Sequence, residues 1–346
     1  MHEKPVIINP VSGNNSMKVL KYLQKNLEDK GFHYYITKEK GDGARFITER
    51  LAAAEKLDKM LLALIVGGDG TCNEVSNADG NLDRLIVGII PAGTGKDMAR
   101  SLNMTDIDDI CEIQNQIYTG KANLENYVKP IDLIKISFDE GKEAKANYLF
   151  SIGFDGVVCK EVNGSRRKGG FRDKNIYITK AIEVLREKKY LPIEIEYVLN
   201  DDDSAKKTVD DILMFTIMNG RYAGSGINYN PEYSLNDGLL EGFLIKSLTL
   251  GEVTKLLWHV RVKKDNEHII SARDANGFNR FKINYMPGIK SASIKIQPPA
   301  EWVSDQEYYL NTDGEHHQIE KPDKPVQLDV LHNATFMMYI PEKKPR

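Results

Sequence analysis

The residues best suited to chemistry form the run Val66-Gly67-Gly68-Asp69-Gly70-Thr71-Cys72, set directly after the apolar stretch Leu61 to Val66. Glycines let the main chain approach a ligand closely and adopt positive φ, so several N–H groups can converge on phosphate oxygens with no side chain in the way. Thr71 offers one further hydroxyl. A carboxylate inside such a turn repels phosphate unless a cation or a hydrogen-bonded proton relay lies between them, so Asp69 points to magnesium or to such a relay. A plain strand-to-helix turn could carry the same glycines, and the run gains meaning only from its neighbours.

A second turn of the same design follows the next apolar stretch, as Pro91-Ala92-Gly93-Thr94-Gly95-Lys96-Asp97. It is not a Walker A loop: Ile90 stands where that motif needs glycine, and Asp97 stands where it needs Ser or Thr. What remains is a second main-chain cradle at the carboxyl edge of the same sheet, where open α/β sheets hold their ligands. Two cradles suit an extended triphosphate. Asn9-Pro10-Val11-Ser12-Gly13 is a third turn after a short strand, and taken alone it is equally a surface loop.

The elements that must position these turns are legible as periods. Val6 to Ile8 is a β-branched run, and Met17 to Lys30 places Val19, Leu20, Leu23 and Leu27 on one helical face. Ala44 to Lys56 repeats the helix with Ile47, Leu51 and Ala54, and Leu61 to Val66 and Leu85 to Ile90 are buried strands. Thr105 is placed to cap a helix whose first turn holds Asp106, Asp108 and Asp109 and whose inward face holds Ile107, Ile110, Ile113 and Ile117. From Ile131 the period changes to two, as in Ile193-Glu194-Ile195-Glu196-Tyr197, Ile294-Lys295-Ile296 and Val326-Gln327-Leu328-Asp329-Val330. Helices are expected there only at Tyr177 to Lys188 and Leu250 to Lys263, with a polar hairpin tip at Asn200 to Lys207. The periods therefore give α/β with a parallel sheet in the first part and mostly β from about 130.

Taken together, these turns resemble the catalytic domain of diacylglycerol kinases and the wider group of sphingosine, ceramide and bacterial lipid kinases, within an NAD kinase-like superfamily. The resemblance continues through Asn219-Gly220-Arg221-Tyr222-Ala223-Gly224-Ser225-Gly226 and Ser234-Leu235-Asn236-Asp237-Gly238-Leu239-Leu240-Glu241 to Asp313-Gly314-Glu315. It implies the full plan of α/β plus all-β: a Rossmann-like parallel α/β domain over 1–130, a β-sandwich over 131–325, and a terminal strand or tail over 326–346 that can return to the first domain. With that plan it implies ATP against Asn9, Pro10, Val11, Ser12, Gly13, Thr37, Val66 to Cys72 and Thr94, with Thr37 in the stretch Thr37-Lys38-Glu39-Lys40-Gly41-Asp42. It implies Mg2+ held by Ser234, Asp237 and the carbonyl of Leu239, oxygen donors that suit this cation. Asp69, Asp97 and Asp132 match three aspartates that the family joins through water and metal near the transferred phosphoryl group. Glu315 matches the general base that takes the proton of a lipid hydroxyl, although Asp313-Gly314 is also a common hairpin turn. The sequence departs from the family's pattern at Lys96, where asparagine is usual, at Ser225, which interrupts a glycine run, and in the looser Pro231-Glu232-Tyr233.

Composition narrows the remaining options. The 346 residues carry a formal net charge of −3, which excludes a dedicated nucleic-acid binder. The longest apolar runs fall far short of the roughly 20 residues that cross a bilayer, and Met1 to Pro10 lacks a signal-peptide core, so a cytoplasmic chain is expected. The three cysteines, Cys72, Cys111 and Cys159, match neither a disulfide framework nor a zinc spacing. A lipid alcohol as substrate requires reversible docking on a membrane, and the basic cluster Ser165 to Lys174 suits anionic headgroups, the nucleotide, or plain solvation. His316 and His317 point to opposite faces of a strand and are structural. The oligomeric state stays open, a homodimer included. The rival functions are an NAD kinase, which shares the Gly-Gly-Asp-Gly-Thr turn, and an inactive nucleotide or lipid sensor, against which Asp69, Asp97, Asp237 and Glu315 together weigh.

Overall fold

The computed structural model of the protein describes residues 4–12, 16–27, 31–93, 95–167, 176–187, 193–200, 206–229, 233–263, 266–297 and 307–341. The chain divides into two compact units, one of residues 1–132 with 332–346 and one of residues 133–331.

The first unit alternates strand and helix: β1 Lys4–Ile8, α1 Ser16–Leu27, β2 Phe32–Ile36, α2 Asp42–Lys56, β3 Leu61–Gly67, α3 Asp69–Ser76, β4 Leu85–Pro91, α4 Asp97–Ser101 and α5 Ile107–Tyr118. Its strands run parallel in the order β4-β3-β1-β2. β3 and β4 are nearly continuous apolar runs because both of their faces are covered. On the helices, burial follows the 3.6-residue period, with Leu20, Leu23 and Leu27 of α1 and Ile47, Leu51 and Ala54 of α2 turned inward. The helix cap expected at Thr105 lies one residue later: the Asp106 carboxylate accepts the N–H groups of Asp108 and Asp109. An aspartate one residue nearer the helix reaches both orphan donors. Ile110, Cys111 and Gln114 form the fully buried face of α5, whereas Ile107, Ile113 and Ile117 are only half-buried.

β5, Val128–Phe138, leads into the second unit, which holds β6 Lys142–Ala146, β7 Leu149–Gly153, α6 Phe154–Arg167, α7 Ile176–Arg186, β8 Ile193–Leu199, β9 Lys207–Met218, β10 Tyr222–Ala223, β11 Ile227–Asn228, β12 Leu240–Lys246, α8 Leu250–Leu257, α9 Glu267–Arg273, β13 Ile283–Ile289, β14 Ser291–Gln297, β15 Tyr308–Thr312, β16 Glu315–Ile319 and the start of β17, Val326–Met338. A π-helical turn, Trp258–Lys263, extends α8. Pairing within this unit is antiparallel, as in β15 with β7 and β16, β9 with β7, β8 and β12, and β14 with β8 and β17. The alternation Ile193, Ile195, Tyr197 on β8 and Ile294, Ile296 on β14 feeds one core with Phe150, Phe215, Leu244 and Leu310. Among the described residues of this unit, two helices beyond those expected are present. α6, glycine- and charge-rich, packs against β15, β16 and α7, and α9 is short and lies on β13. The hairpin tip expected at 200–207 falls largely outside the described residues. The end of β17 belongs to the first unit, where Phe336 and Met337 pair in parallel with Ile86 and Val87 of β4.

Candidate phosphate cradle and candidate base

The parallel register sets the ends of four strands at one level. Ile8 lies opposite both Val66 and Ile36, and Gly67 lies opposite Pro91, so Asn9, Thr37, Gly68 and Ala92 all leave the sheet at its carboxyl edge. β1 sits where the chain reverses its direction of travel across the sheet, with β2 on one side and β3 on the other, the point at which such sheets open a crevice. The turns are tied to one another there. The Gly67 carbonyl accepts the N–H groups of Ala92 (2.8 Å) and Gly93 (3.0 Å), and the Val66 carbonyl accepts Asn9 N–H at 3.1 Å. The Asn9 side chain takes Val11 N–H on its oxygen (3.1 Å) and donates its amide to Thr71 Oγ1 (3.2 Å), joining the first turn to the start of α3.

The glycines are required by space rather than by backbone sign. None of Gly67, Gly68, Gly70, Gly93 and Gly95 has a positive φ, so of the two properties expected of them close approach applies and left-handed backbone does not. A Cβ on Gly93 would lie 2.5 Å from the Gly68 Cα and 3.2 Å from Ser12 Oγ, and one on Gly67 would lie 2.5 Å from Thr71 Oγ1. Ser12, Gly68 and Gly93, distant in sequence, are thus in mutual contact, and side chains there would separate the loops. The left-handed residue in the second turn is Lys96, at φ 60 and ψ 28 just before α4. Asparagine adopts that conformation more readily than lysine, which gives the family's usual residue a physical reason.

The carboxylate inside the first turn is not left facing an anion bare. Asp69 opens α3, and its Oδ1 accepts Met98 N–H at 3.1 Å, with the Asp97 N–H as a further donor. Burial pushes its carboxyl above the usual range, opposed by these amides and by the Arg100 charge. Asp97 is buried as the first residue of α4, and its Oδ1 pairs with Arg100 Nη1 at 2.8 Å. A Cβ on Gly95 would run into the Asp69 carboxylate, so both aspartates and the second turn form one tight group. Thr37 is buried and both its N–H (2.9 Å) and its hydroxyl (3.3 Å) engage the Ile8 carbonyl. The side chains of Val66 and Cys72 point into the core, so only their main chain can serve a ligand. Pro10 is half-buried and Val11 exposed. Asp132 is fully buried, its Oδ1 taken by Asn333 N–H (2.7 Å) and His332 Nδ1 (2.9 Å). Gly13 and Thr94 lie outside the described residues.

Two further groups lie in the second unit. In the turn before β12, the Ser234 hydroxyl lies 3.4 Å from Asn236 Oδ1, Asp237 Oδ1 accepts Leu239 N–H at 3.0 Å, and Gly238 has φ 74. Asp237 is exposed. Burial and then the Asp237 charge push Glu241 up to about 7, with Arg273 opposing. This crowding of negative charge around hydroxyl and carbonyl oxygens fits a hard cation. The described residues hold no cluster of three His, Cys, Asp or Glu, so a cation would depend on those neutral oxygens.

Glu315 opens β16 behind the two-residue turn Asp313-Gly314, whose φ values of 53 and 91 are those of a type I′ hairpin. The turn is held more firmly than its sequence suggests. The buried Asp313 carboxylate accepts Asn147 N–H (2.6 Å), Asn147 Nδ2 (2.9 Å), Tyr148 N–H (3.1 Å) and Leu149 N–H (3.0 Å). Gly314 donates its N–H to Asn311 Oδ1 (2.8 Å), and its carbonyl accepts Asn163 Nδ2 (3.0 Å). Asn311 in turn donates to Asp155 Oδ2 at 2.6 Å. Asp313 therefore does more than shape a turn, and only its adjacency to glycine hinted at a special position. The two histidines after Glu315 separate as expected, His316 toward Asn163 and His317 toward Thr312.

The geometry agrees with what comparison shows. Residues 5–136 match the family model of the diacylglycerol kinase catalytic domain, and residues 149–273 match the YegS C-terminal NAD kinase beta sandwich-like domain. The chain thus carries a diacylglycerol kinase catalytic domain followed by a YegS C-terminal NAD kinase beta sandwich-like domain, and it resembles the lipid kinases that share them. Among its relatives, a diacylglycerol kinase of Bacillus subtilis (strain 168) is 28% identical over 324 residues, covering 91% of this chain and 90% of that one. A probable lipid kinase YegS-like of Xanthomonas oryzae pv. oryzae (strain MAFF 311018) is 26% identical over 290 residues, covering 81% and 79%. The crystal structure of a diacylglycerol kinase from Bacillus anthracis str. Sterne shares the fold, with a TM-score of 0.61 at 20% identity, covering 98% of this chain and 97% of that one.

Proposed function

We propose that this protein uses ATP to phosphorylate the hydroxyl of a membrane lipid, diacylglycerol first among the candidates, giving phosphatidic acid. The observation that carries the reading is the close approach of Ser12, Gly68 and Gly93 at the sheet's carboxyl edge, a main-chain arrangement of the kind that receives phosphate groups. In this reading Asn9 to Ser12, Gly67 to Thr71 and the Gly93 turn receive the triphosphate. Asp69 and Asp97, steadied by the α4 amides and Arg100, order the surroundings of the γ-phosphoryl group. Glu315 accepts the proton of the lipid hydroxyl as the alcohol attacks, on a hairpin that Asp313 keeps in place. Ser234, Asp237 and the Leu239 carbonyl would hold Mg2+, which when bound offsets negative charge. Phosphoryl transfer asks little covalent work of a protein, so positioning and charge stabilisation dominate.

The YegS C-terminal domain is of an NAD kinase beta sandwich-like kind, which keeps phosphorylation of NAD as the rival acceptor chemistry. The deciding experiment incubates the protein with ATP and Mg2+, offered either NAD or a panel of lipid alcohols in detergent micelles. A phosphorylated lipid, with NAD unchanged, supports the proposal. Phosphorylated NAD, or no product from any lipid, overturns it.

A further inference from the structure

The second unit carries an apolar stripe that the core does not use. Leu250, Thr254, Trp258 and Val262 recur every fourth residue along α8 and its π-helical extension, and all four are exposed, Leu250 at 52%, Trp258 at 46% and Val262 at 67%. They line one face over about 18 Å of helix. The opposite side is anchored. The buried His259 packs edge-on to Phe281 at 5.2 Å and sets its Nδ1 3.3 Å from Glu267. A capping box starts the helix, with Thr249 and Glu252 bonding each other's main chain.

The segment that carries the stripe is basic in sequence. Residues 250–264 contain Lys255, Arg261, Lys263 and Lys264 against the single acid Glu252, in a chain whose net charge is −3. That acid is engaged by the cap and by Lys282 at 2.9 Å. Lys255 and Lys263 are exposed, and Lys263 Nζ lies 4.7 Å above the Trp258 ring. Leucine, valine and tryptophan on one face with lysines at its borders is the pattern of a helix that lies in the headgroup layer of an anionic membrane. No described helix is long and apolar enough to cross a membrane.

We infer that the Leu250-Trp258-Val262 stripe with Lys255 and Lys263 is a docking surface for an anionic bilayer. The choice of a lipid surface as the occupant rests on the lipid-kinase reading, and the test is separate from it. The full chain is mixed with vesicles of phosphatidylcholine containing phosphatidylglycerol, or of phosphatidylcholine alone, and bound protein is measured by flotation. Wild type should prefer the anionic vesicles, and the double variant Trp258→Glu, Val262→Glu should bind about tenfold more weakly or worse. Lys255→Glu with Lys263→Glu should abolish the preference for anionic lipid. The chain has two tryptophans, so Trp302→Phe leaves Trp258 to report its own insertion as a blue shift of emission. Equal binding of wild type and the first double variant, an unmoved emission, or a change of oligomeric state in that variant without lipid overturns the inference, the last by giving the stripe to a second copy. A protein that phosphorylates a lipid in micelles yet ignores vesicles overturns the docking surface alone. One that docks but phosphorylates no lipid overturns only the kinase reading.

Discussion

Replacing Gly93 by alanine tests whether the closeness of the two glycine turns matters. Gly93 lacks a positive φ, so alanine meets no backbone penalty there and the whole cost is steric. The added Cβ would sit 2.5 Å from the Gly68 Cα and 3.1 Å from its nitrogen, about 1 Å inside normal carbon contact. Main chain on both sides cannot rotate away as a side chain would, so the turns must separate. Overpacking of this kind costs about 1–3 kcal/mol. Borne wholly by ligand binding, that is about 5- to 150-fold in affinity. The assay is calorimetric titration with a non-hydrolysable ATP analogue, beside urea unfolding to divide the cost between binding and stability. Gly164→Ala, in α6 where a Cβ meets nothing within 4 Å, is the control and should gain about 0.5–1 kcal/mol. A Gly93→Ala protein as stable as wild type that binds the analogue within about twofold of it would refute the cradle.

Glu315→Gln should leave analogue binding unchanged while turnover of the lipid substrate falls about 10²- to 10⁴-fold, as expected when a general base is lost; steady-state rates and titration together check both halves. Asp313→Asn places an amide among four N–H donors that the carboxylate now satisfies, and should cost about 1–3 kcal/mol in urea unfolding. Turnover should fall with it, because the Glu315 hairpin loses its anchor. Lys96→Asn removes a lysine from left-handed backbone and should raise stability by about 0.5–1 kcal/mol in thermal unfolding.

Strand and helix in the first unit were legible because burial writes a period into the sequence. Leu61 to Val66 could be nothing but a covered strand, and Ile47, Leu51 and Ala54 could share a face only on a helix. Helices α6 and α9 escaped the same reading. α6 contains Asp155, Gly156, Asn163 and Gly164, residues that local helix propensity disfavours, a preference that packing against β15 and β16 overrides. At the site, the turns and their acids were visible as types and spacing, but what fixes them was not. The Gly68 to Gly93 contact joins residues from different strands, and the Asp313 bonds reach back to Asn147, across more than half of the second unit's sequence. Such long-range satisfaction leaves no local trace. For the glycines the sequence suggested both close approach and backbone freedom, and the fold uses only the first.

The most direct measurement is amide hydrogen exchange of the full chain, peptide by peptide, with and without the ATP analogue. If main-chain amides of neighbouring strand ends hold the triphosphate, exchange slows in the segments covering Asn9 to Ser12, Gly67 to Cys72 and Gly93 to Asp97, and Gly93→Ala weakens that protection. Protection confined to other segments, with these three unchanged at saturating analogue, would contradict the account.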